Sequence, residues 1–169
     1  MERCRMVFSG SGGQGVITAA MIAVQSQTYG PAARGGSTRS DVIISDSNIN
    51  FPKVLQPNVL VCLTQEAYNL FYPIIRPGGL LITDTRFVKT EKKVDAQQRE
   101  FPMYRTVLDK IGKPIVFNIC MLGVVLSLTD LVKSESIIKV LESRIPSSFL
   151  EMNRKALNLG MELAEESKD

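Results

Sequence analysis

The chain has 169 residues, of which 44% are hydrophobic, and a mean hydropathy of +0.06. That is enough apolar material for one core, and no apolar run approaches the roughly 18 residues that a membrane crossing needs. Twenty basic against 17 acidic side chains leave a net charge of +3, scattered along the chain, which points to neither nucleic acid nor a membrane surface. Histidine is absent, which removes the commonest general base, the usual triad partner and the commonest metal ligand. The three cysteines, Cys4, Cys62 and Cys120, lie far apart and form no Cys-x-x-Cys site; Cys62 and Cys120 sit in apolar segments and read as buried small hydrophobes. The charged start, Met1–Arg5, has no apolar core of signal-peptide length, and a cytoplasmic protein is expected.

In chain order, Arg5–Ser9 reads as a short strand, followed by the GSGGQG run Gly10–Gly15 and a helix-like stretch, Val16–Ile22. A strand ending in a glycine loop that opens a helix aims free N–H groups and the positive end of the helix dipole at one spot. Gly10, Gly12, Gly13, Gln14 and Gly15 are therefore candidate anion-binding residues. The spacing fits the dinucleotide pattern G-x-G-x-x-G, but it equally suits a tight strand-to-helix turn that binds nothing. The next strand, Ala23–Thr28, carries no acidic residue to accept hydrogen bonds from a ribose, which weakens a dinucleotide reading. No Gly-Lys-Ser/Thr follows the loop, so a Walker motif is absent.

A turn-rich segment, Tyr29–Ser40, follows, holding Arg34, Gly35, Gly36 and Arg39; its Gly-Gly pair suits a second concavity of backbone donors. Arg34 is a candidate bidentate grip on an anion, whereas Arg39 reads equally well as an ordinary surface arginine. Asp41–Ser45 is a β-branched strand expected to turn through Asp46-Ser47-Asn48 and pair antiparallel with Ile49–Pro52 at a sheet edge. Val59–Leu63 reads as a buried parallel strand, with Thr64 as N-cap of a helix over Gln65–Ile75. Pro77-Gly78-Gly79 ends that helix, and Leu80–Thr83 forms another strand closing at Asp84, which reads as turn chemistry before ligand chemistry.

Beyond Asp84 the pattern weakens into a polar stretch with a strand fragment at Phe87-Val88. A helix over Tyr104–Ile111 ends at Gly112, and Ile115–Phe117 is expected to be the last strand. Residues Asn118–Val132 are apolar on nearly every side, the mark of a helix buried either by its own domain or against another chain, with Gly123 permitting close approach. Ser136–Arg144 and Phe149–Glu165 are amphipathic helices. Together these units predict one α/β domain over residues 1–169: a three-layer, mainly parallel, Rossmann-like sheet with helices on both faces and an antiparallel edge.

Read together, GSGGQGV, YGPAARGGSTRS, VIISD and FPKV resemble the gamma subunit, or gamma domain, of the 2-oxoacid:ferredoxin oxidoreductases. The resemblance extends to Pro57–Leu60, Pro77-Gly78-Gly79 with Asp84, and Asn118 with Leu122-Gly123, and so covers most of the chain. The form Ala33-Arg34-Gly35-Gly36 looks more like the 2-oxoglutarate type than the pyruvate type. One departure stands out: the family's first helix and its connection run about a dozen residues longer, and a parallel crossover itself needs at least about 10–12 residues. Either the first helix is shortened here, or a segment after Ile22 is missing from the chain.

The resemblance implies a multi-subunit enzyme that oxidatively decarboxylates a 2-oxoacid with coenzyme A as co-substrate. Thiamine diphosphate, magnesium and iron–sulfur clusters would lie in partner subunits, and electrons would pass to ferredoxin. This chain would be an accessory gamma subunit beside alpha and beta subunits and a ferredoxin-like delta subunit, with no catalytic residue or metal ligand of its own. It would help enclose coenzyme A through Gly10–Gly15 and Arg34–Gly36, with Gln14 reaching a ligand or a neighbouring subunit. Two other readings stay open: an autonomous dinucleotide-binding oxidoreductase, and a purely structural assembly subunit.

Overall fold

A computed structural model of the chain describes residues 4–11, 24–29, 37–45, 49–50, 53–91 and 93–167. They form two compact units, residues 1–100 and 101–169. The first is built on a six-stranded sheet: β1 (Cys4–Ser11), β2 (Val24–Tyr29), β3 (Ser37–Ile44), β4 (Val59–Cys62), β5 (Gly79–Asp84) and β6 (Ala96–Phe101), in the spatial order β2-β3-β1-β4-β5-β6. β1, β4 and β5 run parallel, with Val7 opposite Leu60 and Leu60 opposite Leu81. Their apolar residues are what a strand buried on both faces requires, and all four residues of β4 are buried.

The antiparallel edge is present but is built differently from expectation. β3 pairs antiparallel with β1 on one side and with β2 on the other. It begins at Ser37, four residues before the predicted strand, and both of its edges are taken. No edge remains for a partner at Ile49–Pro52, and Ile49 and Asn50 are not in a strand; Phe51 and Pro52 lie outside the described residues. The predicted helix Val16–Ile22 also lies outside them.

The helix α1 (Gln65–Phe71) starts where its cap predicts, with the Ala67 N–H donating to Thr64 Oγ1 at 3.2 Å. It tightens into a 3₁₀ turn at Tyr72–Ile74 because Pro73 has no N–H to continue the α ladder. Ala67 and Tyr68 of α1 join Val7, Leu60, Cys62 and Leu81 of the sheet in one buried cluster. Residues Phe87 and Val88 are not a strand fragment: both N–H groups donate to Asp84 O, at 3.1 and 3.0 Å, closing a turn. The strand of this region is β6, whose sequence AQQREF hides it because it lacks apolar alternation.

In the second unit, α2 (Met103–Ile111) ends at Gly112, whose φ of +76° is the left-handed conformation that favours glycine. The expected strand at Ile115–Phe117 is absent. Pro114 opens a 3₁₀ turn, Pro114–Val116, and Phe117 begins α3 (Phe117–Thr129), so the β-branched pair is the entry to a helix. α4 (Ser134–Arg144) and α5 (Ser147–Glu166) follow. Residues 117–126 of α3 are all buried within this chain alone, so no second chain is needed to cover them. The approach to α5 is close: a Cβ on Gly123 would sit 2.1 Å from Leu157 O, and one on Gly160 would sit 1.9 Å from Cys120 O.

Candidate functional site at the end of β1

The two glycine-rich segments singled out in the sequence leave the sheet at one place. The chain exits β1 at Ser11 and enters β3 at Ser37, and these residues face each other in the ladder, as do Gly10 and Thr38. Tyr29, the last residue of β2, is also opposite Thr38. Because β1 runs parallel to β4 and β5, this is also the carboxyl end of those strands, the side on which open α/β sheets bind ligands. Of the candidate residues, Gly10 is buried as the penultimate residue of β1; Gly12, Gly13, Gln14, Gly15, Arg34, Gly35 and Gly36 lie outside the described residues.

Two hydroxyls reinforce the root. Ser9 Oγ donates to Thr38 O at 2.8 Å, and Thr38 Oγ1 donates to Gly10 O at 3.0 Å. Ser9 is fully buried. Sequence reasoning assigned neither residue a role: Ser9 closed the predicted strand Arg5–Ser9, and Thr38 fell in the turn-rich segment Tyr29–Ser40.

Arg39 is not a surface arginine. Its side chain is 15% exposed and grips Asp41 bidentately, Nε to Oδ1 at 2.5 Å and Nη2 to Oδ2 at 3.0 Å. Nη2 also donates to Val54 O, while the Val54 N–H donates to Asp41 Oδ2 at 2.8 Å, so the pair holds both backbone groups of Val54. The Arg39 guanidinium lies 5.3 Å from the centre of the Phe71 ring. With Nε and Nη2 bonded inside the unit, Arg39 is a structural cation, leaving Arg34 as the candidate for binding. The signal was in the sequence: Arg39-x-Asp41 places opposite charges on one face of a strand.

Asp84 behaves as the turn residue it was read to be, with Oδ1 accepting from the Arg86 N–H at 2.9 Å. Burial pushes the Cys62 thiol up to about 12, so it is a poor nucleophile near neutral pH. Burial also raises Cys4, partly offset by the neighbouring Arg5. Among the described residues no cluster of cysteine, aspartate and glutamate is placed to hold a metal ion, and no helix is long and apolar enough to cross a membrane. A cleft in the second unit, lined by Lys133, Lys139, Glu135 and Glu165 among others, mixes both signs of charge.

The family model for pyruvate ferredoxin/flavodoxin oxidoreductase matches residues 5–163. The chain belongs to that family. Among its members, 2-oxoglutarate synthase subunit KorC of Methanocaldococcus jannaschii is 42% identical, over 94% of this chain and 92% of the relative. That alignment spans 173 positions, more than the 169 residues of the chain, so the relative carries residues with no counterpart here. The gamma subunit of a keto/oxoacid ferredoxin oxidoreductase from Geobacter sulfurreducens has the same fold, with a TM-score of 0.89, 38% identity and 98% of each chain covered. A 2-oxoglutarate:ferredoxin oxidoreductase from Magnetococcus marinus, solved with 2-oxoglutarate, coenzyme A and succinyl-CoA, repeats the fold over 98% of this chain and 32% of its own, with a TM-score of 0.86 at 20% identity. The chain is a gamma-type subunit of the 2-oxoacid:ferredoxin oxidoreductases.

Proposed function

We propose that this chain is the gamma subunit of a cytoplasmic, CoA-acylating 2-oxoglutarate:ferredoxin oxidoreductase and that its glycine loops form the anion-receiving wall of the coenzyme A site. The single observation that supports the site is the β1–β3 register, in which Ser11, the residue before Gly12–Gly15, lies opposite Ser37, the residue after Arg34–Gly36. Backbone N–H groups of a glycine-rich segment following a strand receive phosphates well, and an arginine adds a planar, permanently charged fork. Coenzyme A carries three such phosphate groups' worth of negative charge, whereas the 2-oxoacid carries only carboxylates. The KorC relatives supply the preference for 2-oxoglutarate, in line with the Ala33-Arg34-Gly35-Gly36 sequence.

In this reading the alpha and beta subunits hold thiamine diphosphate and magnesium, a ferredoxin-like delta subunit and its neighbours carry the iron–sulfur clusters, and ferredoxin takes the electrons. The cofactors perform the carbanion and electron-transfer chemistry, and this chain's residues position a co-substrate. Residues 1–169 act as one gamma-type domain, a reading supported by a single family model matching across both compact units.

The test is co-purification of the native complex, followed by 2-oxoacid-dependent dye reduction with pyruvate, 2-oxoglutarate and branched-chain substrates, with and without coenzyme A. Preferential turnover of 2-oxoglutarate is expected. Arg34→Ala should raise KM for coenzyme A about 10- to 100-fold, the worth of one charge-assisted contact, in a complex that still assembles. An assembled Arg34→Ala complex with an unaltered coenzyme A dependence would reduce the chain to an assembly subunit. A free chain binding NAD stoichiometrically would return the glycine loop to an autonomous dinucleotide site.

A further inference from the structure

We infer that the apolar surface formed by α2 and the Pro114–Val116 turn is the seat of the alpha subunit, with Ile115 as its anchor. The inference rests on the reading above that this chain is a gamma subunit. α2 carries two apolar stripes. Met103 and Val107, one turn apart, are fully buried. Tyr104, Leu108 and Ile111, spaced four and three residues apart, form a second stripe further round the helix. Leu108 is 41% exposed, and Tyr104 and Ile111 are half-buried. The Tyr104 ring meets the Phe117 ring edge-on, with 5.7 Å between centroids, which brings this stripe beside the start of α3. Ile115 precedes Phe117 by two residues and is 77% exposed, the most of any large hydrophobic side chain among the described residues.

A single exposed apolar side chain needs no explanation, but a rigidly presented group of them marks a docking surface. The turn holding Ile115 is fixed at both ends. The Gly112 N–H donates to Val107 O and Leu108 O at 3.2 and 3.0 Å, and the Phe117 N–H donates to Pro114 O. Val116 is buried in the same turn, so Ile115 cannot turn inward without drawing its neighbour out. An anchor held ready by its backbone avoids much of the ordering cost of association. Arg105 and Asp109, exposed and paired at 3.6 Å, border Leu108 on its outer side, so the apolar centre has a charged rim, as protein interfaces do.

The relatives' construction supports alpha as the occupant. Ketoisovalerate oxidoreductase subunit VorA of Methanothermobacter marburgensis is 30% identical over 73% of this chain, yet the match takes up 28% of VorA. KorC, by contrast, is matched over 92% of its length. A C-type region therefore occurs inside an A subunit, where its neighbour is held at high effective concentration by the chain itself. Where the two are separate subunits, the surface must hold its neighbour by affinity alone, and an exposed apolar anchor supplies it.

The test measures retention of this chain on a tagged alpha subunit, with beta present, over a range of concentrations. Ile115→Asp should raise the concentration for half-retention about 30-fold, and Ile115→Ala and Leu108→Ala about fivefold each. Because both side chains are exposed, the Tm of each variant should stay within about 2 °C of the parent's. Retention of Ile115→Asp within about twofold of the parent overturns the inference and leaves the functional reading intact. A parent chain that alpha and beta do not retain at all overturns the reading itself. A dimer of the chain alone that Ile115→Asp dissolves, seen by size-exclusion chromatography, assigns the surface to a second copy and overturns the inference. Should Ile115→Asp lower Tm beyond that margin, the two alanine variants decide the matter on the same readout.

Discussion

The two compact units are stabilised by different chemistry. In residues 1–100, Ser9, Ser40, Asp41, Thr83 and Asp84 are buried among the apolar residues of the sheet; in 101–169, the buried polar side chains among the described residues are Asn118 and Asn153. Net charge divides the same way: eleven basic face eight acidic side chains in residues 1–100, and nine face nine in 101–169. A helical core can be closed by shape alone, as α3 and α5 are at Gly123 and Gly160. The sheet adds directional contacts, because apolar burial is strong but non-directional.

The contrast can be broken most severely at Asp41. Asp41→Ala leaves Arg39 buried without its counter-ion and the Val54 N–H without its acceptor, and should cost about 3–5 kcal/mol in urea unfolding. A loss below about 1 kcal/mol would demote the pair to the standing of a surface ion pair. On the apolar side, Gly160→Ala places a methyl group against the Cys120 carbonyl, which can relax only by separating two helices; a loss of about 1–3 kcal/mol is expected, read as a fall in Tm. Should Gly160→Ala be as stable as the parent, the helix contact is looser than its geometry indicates.

The smallest effect near neutral pH belongs to Cys62. Its thiol is pushed from 9.0 up to about 12, so iodoacetamide at pH 8 should leave it unmodified in the native protein and label it after unfolding. The sign of the linkage follows: the stabilisation from keeping this thiol neutral and buried is complete below pH 9. It is lost as pH rises toward 12, because the unfolded chain gives up the proton first. Labelling of native Cys62 at pH 8 would mean that the sheet opens under α1.

Legibility in the sequence followed the same division. α3 could be read because eight of the ten residues from Phe117 to Leu126 are apolar, and α2 because Gly112 marks its end. β4 and β5 were legible as short apolar runs bounded by turn residues. Ser37–Ser40 was not, because a polar strand is specified by partners far away in sequence: Ser9 and Gly10 for Thr38, Val54 for Arg39. β6 was hidden for a similar reason, and Ile115-Val116 misled because β-branched residues after a proline suit either a strand or a helical entry. Of the candidate site, the glycine segments stood out by composition. Their common origin could be learned only from the antiparallel register.

The position of β1 has a consequence for synthesis. It lies inside the sheet, between β3 and β4, yet its residues leave the ribosome before either partner. Residues Met6-Val7-Phe8, all buried in the finished protein, must wait for residue 44 on one side and residue 62 on the other. At about 5–20 residues per second the interval is a few seconds, long compared with hydrophobic collapse. During that time the strand exposes apolar side chains that the finished sheet covers, so the segment is adhesive until its partners arrive.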